Sequence, residues 1–303
     1  MTPIRAPQAA DWFGLLALSL AWGTSFLAVE IALTGFSPLV ITASRIGIAT
    51  ILLLGIVRLR GQRMPRRAGD LGILLAAGTI GATIPFLLIS YGQTGTDSSS
   101  AAILMAATPL AAALLTHVAT GDEKLSTGKL AGIALGLAGV FVLVGGADFR
   151  LEAGAHYELS VLGGAVCYAV SSLLMRRASH VPTVVGAAGA MAGGAVTVIP
   201  LALVFGHLPD TWPPLPALLA VLWLSVVPSA LAVLVMMWML GRVGVTFMTL
   251  NNYLVPVVGS LLGVLVLGES FGLKRFSGLV LILGGVLAVH YAHRRALSLR
   301  ERA

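Results

Sequence analysis

Long apolar runs separated by short polar links make up nearly the whole chain. They fall at Asp11–Leu33, Pro38–Val57, Leu71–Gln93, Ser98–Ala119, Thr127–Gly145, Glu158–Met175, Pro182–Phe205, Pro214–Leu240, Thr246–Leu267 and Lys274–His290. A helix needs about 20 residues to cross a hydrocarbon layer about 30 Å thick. The pattern therefore predicts ten transmembrane α-helices, with links too short to hold a soluble domain. A barrel is excluded, because its strands alternate apolar and polar residues, whereas Leu231-Ala232-Val233-Leu234-Val235-Met236-Met237 does not alternate. The first run is too long for the core of a cleaved leader and is expected to remain as helix one. Pro228 is expected to kink the eighth helix.

Composition agrees with this pattern. Only 10% of the 303 residues are charged and 57% are hydrophobic, so the chain cannot supply the polar skin of a soluble globule. The single cysteine, Cys167, excludes an internal disulfide framework. The net charge of +7 does not require nucleic acid. With the amino terminus in the cytoplasm, 15 of the 19 Lys and Arg residues fall on cytoplasmic segments, including Arg58, Arg60, Arg63, Arg66 and Arg67. Arg150, Lys274 and Arg275 fall on the far side, and Arg45 lies within the membrane. The positive-inside bias thus places both termini in the cytoplasm.

The chain also repeats itself. Thr108-Pro109 is followed by Gly121-Asp122-Glu123 as Val255-Pro256 is followed by Gly268-Glu269-Ser270, at an offset of 147 residues. Lys129-Leu130-Ala131-Gly132 and Arg275-Phe276-Ser277-Gly278 match at 146, as do Trp22 through Ser25 and Tyr168 through Ser171. Two five-helix copies follow, 1–147 and 148–303. Five is odd, so the copies must insert with opposite orientation, an arrangement that places a substrate site near the midplane between repeats.

On Trp22-Gly23-Thr24-Ser25-Phe26, Arg45, and a mid-helix proline ahead of a Gly-Asp/Glu helix end in each half, the chain resembles the ten-helix EamA branch of the drug/metabolite transporter superfamily. The second copy departs from the first, with Tyr168 in place of Trp22 and no arginine matching Arg45. The resemblance implies export of amino acids, related metabolites or amphipathic toxic compounds across a bacterial inner membrane.

Intramembrane polar groups supply the candidate site. Glu30 and Arg45 both fall in the outer third by helix rise; they are expected to approach each other, as a gate or as a static ion pair. Asn251 and Asn252 open toward different sides of one helix, so at most one faces the centre squarely. The candidate cavity set is Trp22, Thr24, Ser25, Tyr91, Met105, Thr108, Tyr168, Ser171, Trp238, Asn251 and Asn252, although Tyr91 and Trp238 lie near helix ends and suit an interfacial belt. Pro109 and Pro256 are candidate helix breaks. Asp97 reads as a helix N-cap, and the pairs Gly132/Gly136, Gly189/Gly193 and Gly259/Gly263 as close-packing positions.

A rival from another class is an intramembrane hydrolase using Ser270 in Gly268-Glu269-Ser270-Phe271-Gly272, but that motif needs a strand before it. No Walker loop, metal-ligand cluster or other cofactor motif is present. The expected partners are a small-molecule substrate and the bilayer, with proton coupling and facilitated diffusion both open, in a monomer or weak oligomer.

Overall fold

Each apolar run becomes a helix. The structure, a computed structural model, describes residues 7–119, 126–145, 154–207 and 211–300. The helices are α1 (Ala9–Leu33), α2 (Pro38–Leu59), α3 (Ala68–Gly92), α4 (Ser98–Val118), α5 (Thr127–Val144), α6 (Ala155–Arg176), α7 (Thr183–Phe205), α8 (Leu215–Met248), α9 (Asn251–Leu267) and α10 (Leu273–Arg300). Among the described residues nine are long and apolar enough to span a membrane. The tenth, α9, has 17 residues, about 25 Å of helix.

Starts and stops follow local chemistry. The Asp11 carboxylate accepts the Gln8 backbone N–H at 2.8 Å and closes the first turn of α1. Pro38 opens α2 where its missing donor costs nothing. Gly268, at φ +68°, ends α9 in the left-handed conformation that favours glycine.

Several boundaries differ from the sequence expectation: α10 runs to Arg300 rather than His290, and the junction of α8 and α9 moves. The eighth helix does not stop at Leu240 but continues to Met248, and α9 begins only at Asn251. Residues 246–248 therefore extend α8, because nothing between Leu240 and Met248 interrupts the backbone. Asn251 and Asn252 consequently stand in the first turn of α9.

Backbone irregularities concentrate inside the bundle. Pro228 sits in a π-helical turn, Val227–Leu231. A second π turn, Thr79–Thr83, interrupts α3 without a proline inside it. Near Pro109, α4 breaks between Met105 and Thr108, and the Thr108 hydroxyl donates to the Met105 carbonyl at 2.7 Å. Pro256, by contrast, does not break α9. It lies in the second turn, where the forfeited bond would have reached only the Asn252 carbonyl at the helix start. The Gly121-Asp122-Glu123 segment lies outside the described residues.

Packing between halves is two-fold. α5 packs on α10, α2 on α7 and α4 on α9; the α1–α9 contact is mirrored by α6–α4, and α1–α8 by α6–α3. Exchanging halves therefore reproduces the contact pattern, as inverted five-helix repeats require. The small-residue positions permit it. A Cβ on Gly132 would stand 2.8 Å from the Gly285 carbonyl oxygen, one on Gly193 2.6 Å from the Leu75 Cα, and one on Gly259 2.6 Å from the Ala102 side chain.

Candidate functional site

Between the two halves lies a cluster drawn from five helices. Arg45 of α2 is only 7% exposed. Its Nε donates to Ser229 Oγ at 2.7 Å, inside the α8 π turn. Ser229 in turn donates to the Leu224 carbonyl at 2.8 Å, so its oxygen is oriented to accept from the arginine. The guanidinium carbon lies 3.7 Å from the centroid of the Phe86 ring of α3, a cation–π contact that is strengthened by desolvation. Tyr168 of α6 meets the same ring edge-on, centroids 6.4 Å apart. One residue from Ser229, the Pro228 carbonyl accepts the Trp22 indole N–H at 3.0 Å. On the other half, Ser171 of α6 donates to the Ala77 carbonyl of α3 at 3.0 Å, just ahead of the second π turn. Each repeat's first helix thus bonds the irregular third helix of the other repeat.

Glu30 and Arg45 are not partners. Among the described residues no ion pair joins them; Glu30 Oε2 accepts from Gln93 Nε2 at 3.3 Å, and Gln93 also donates to the Phe26 carbonyl at 2.9 Å. The two side chains face different neighbours: Arg45 turns to Ser229 and Phe86, Glu30 to Gln93 beyond the end of α3. Glu30 instead lines a polar cavity of about 410 Å³ at the face away from the basic links, with Asp97, Glu158, Lys274 and Arg275.

The remaining expected cavity residues scatter. Tyr91 is 43% exposed and packs on Tyr157, ring centroids 5.4 Å apart. Trp238 is equally exposed and lies beneath Arg242 at 4.5 Å. Both occupy the periphery, since helix ends leave their rings outside the bundle. Thr24 accepts from the half-exposed Trp223 indole at 3.1 Å, and Ser25 bonds back to the Ala21 carbonyl at 3.4 Å. Met105 packs with Tyr168 against one buried apolar cluster. Asn251 is buried and accepts from Ser19 at 2.9 Å, whereas Asn252 is exposed. Of the expected set, Arg45, Trp22 and Tyr168 come together around the α8 π turn. Neither described cavity is lined by these three or by any other residue of the candidate cavity set.

Sequence reasoning missed Phe86, Ser229 and the polar lock on the face away from the basic links. There Glu269 accepts from the Ser98 N–H (2.9 Å), the Ser98 hydroxyl (2.7 Å) and the Ser99 N–H (3.0 Å). Asp97 does occupy the N-cap position of α4, but its side chain caps nothing; it pairs with Arg275, which also bonds Ser100 at 3.1 Å. The readable signal was the mirrored Gly-Glu helix end opposite three consecutive serines. Ser270 lies in the link from α9 to α10 and its carbonyl accepts from Arg275. No strand precedes it, so the nucleophile-elbow context is missing.

On the opposite side of the bundle an apolar cavity of about 480 Å³ lies among α1, α9 and α10, lined by Trp12, Leu15, Leu250, Tyr253 and Leu287 among others.

Comparison with known sequences decides the family. The pattern of the EamA-like transporter family matches twice, over residues 11–145 and 156–291. The chain belongs to the EamA-like transporter family. As a member of this family, within the drug/metabolite transporter superfamily, it resembles a probable terminal-alkyne amino-acid exporter from Streptantibioticus cattleyicolor, 27% identical over 97% of this chain and 96% of that one. An uncharacterised inner membrane transporter, YedA, from Escherichia coli is 29% identical over 94% and 92% of the two chains. An S-adenosylmethionine/S-adenosylhomocysteine transporter from Chlamydia muridarum is 29% identical over 92% and 91%. A solved crystal structure shares the fold, with a TM-score of 0.67 over 96% of this chain and 99% of the other at 23% identity.

Proposed function

We propose that this EamA-family protein is a secondary transporter that exports amino acids or related small amphipathic metabolites across the bacterial cytoplasmic membrane by alternating access. The observation that carries the reading is the placement of both π turns at the interface between halves, each bonded to a side chain of the opposite repeat: Trp22 at Pro228, and Thr197 at Thr83. Irregular backbone at bilayer depth is tolerated where it is enclosed by protein or lines a cavity, and such sites mark substrate positions between inverted repeats. The repeats are 1–147 and 148–303, in keeping with the double family match. A single chain holds both, so a monomer suffices for the cycle. The basic links face the cytoplasm with both termini, supported by the distribution of 15 of 19 cations.

Cargo chemistry is supported by the names of two relatives. An amino-acid exporter and a carrier of S-adenosylmethionine both handle molecules bearing an α-amino acid group. The apolar hollow beside Trp12 and Tyr253 favours a second reading, export of amphipathic toxic compounds.

One experiment tests both. Purified protein in liposomes is offered labelled amino acids and amphipathic amines, with and without a pH gradient. Saturable amino-acid flux is expected. Flux of amines alone selects the second reading, a response to the gradient marks proton antiport, and no flux of any solute overturns the transporter assignment of cargo altogether.

A further inference from the structure

We propose that Arg45 is the docking group for a free carboxylate, with Phe86 and Tyr168 as its walls, so that the cargo is a carboxylic acid carrying an apolar or aromatic body. This deepens the export reading and rests on it, although its test reads binding alone.

The cation is built in and uncompensated. Arg45 is nine-tenths buried, yet among the described residues no carboxylate lies within ion-pairing distance. Only its Nε is engaged, by Ser229; the two terminal nitrogens bond no described residue. A guanidinium presents paired donors in a rigid fork that matches a carboxylate edge. A charge held at bilayer depth without a counter-ion is costly and marks a ligand pathway. Phe86 partly offsets that cost by cation–π contact, but a ring neutralises nothing.

The orientation is fixed from two sides. Ser229 holds the Nε edge toward α8, and stacking on Phe86 holds the plane. The free edge is thereby committed to one direction. Tyr168 stands edge-on to the same Phe86 ring, and its hydroxyl bonds no described residue, so it adds an unmet donor to the cluster. Three unmet donors with an aromatic wall suit a carboxylate joined to an apolar group. They do not suit an amine, which would bring a second cation against Arg45. Because α2 and α3 belong to one repeat and α6 and α8 to the other, a carboxylate held here touches both halves.

The probes are 3-phenylpropionate and its neutral isostere 3-phenylpropionamide, titrated calorimetrically into the purified full chain, with thermal unfolding alongside. The carboxylate should bind at least about tenfold more tightly than the amide, which matches one charge-assisted pair. Arg45→Gln should erase that preference while the unliganded protein unfolds no earlier than the wild type, since an unpaired buried charge has been removed. Arg45→Lys should retain a reduced preference, having charge but no fork. Equal binding of acid and amide, no carboxylate binding up to about 10 mM, or a preference that survives in Arg45→Gln overturns the proposal. Earlier unfolding of unliganded Arg45→Gln shows a structural cation and overturns it as well. Solute flux in the liposome assay is read separately, so loss of the carboxylate site and loss of the transport reading are distinct results.

Discussion

Ser19 Oγ lies 2.8 Å from the Leu15 carbonyl oxygen and 2.9 Å from Asn251 Oδ1, all within the contact of α1 with α9. The next residue, Asn252, points out of the bundle. Neighbours on a helix diverge by about 100°, so one asparagine stitches two helices while the other is solvated or lipid-facing. Asn251→Ala should lower the stability of the detergent-solubilised protein by about 1 kcal/mol, the scale of an interhelical hydrogen bond. Asn252→Ala should stay within about 0.5 kcal/mol of wild type. Paired unfolding curves check both. At this scale the residue types were legible and their direction was not. Glu30 and Arg45 stand out as charges in otherwise apolar runs. Their helices are apolar on every side, so no stripe reveals which face looks inward, and the expected ion pair dissolved into separate contacts with Gln93, Ser229 and Phe86.

At the scale of elements, the run pattern showed ten helices and pointed to irregular backbone at Pro228, a π turn, and next to Pro109, a break. It did not show the π turn at Thr79–Thr83, although Pro85, which cannot donate back into that turn, was the available signal. The lock at the head of α4 was hidden for another reason: Glu269 caps a helix 171 residues away in sequence, a partnership that no local rule encodes. Two backbone N–H groups and a hydroxyl depend on that carboxylate. Charge-assisted hydrogen bonds of this kind contribute about 1.5–3 kcal/mol, so Glu269→Ala should destabilise the protein by about 2 kcal/mol. It should also free the α4 end on the face away from the basic links. With Cys167→Ala as background, a cysteine introduced as Ser100→Cys should react several-fold faster with a membrane-impermeant maleimide when Glu269→Ala is added. An unchanged labelling rate would mean that the Arg275–Asp97 pair closes that end by itself.

Across the whole molecule, the two-fold shell has a charge that the symmetry does not repeat. The positions in α7 that correspond to Arg45 at the repeat offset are Met191 and Ala192. A fixed cation present in one repeat and missing at the matching positions of the other experiences the transmembrane voltage differently in the two access states. Carrying an elementary charge through the full field is worth about 2.3 kcal/mol per 100 mV, and a partial traverse is worth a proportional share. A cargo with no net charge should therefore still move at a voltage-dependent rate. Liposomes clamped with potassium gradients and valinomycin would register that dependence, and Arg45→Gln should flatten it. An otherwise symmetric carrier would in this way be rectified by the cell's own electrical polarisation.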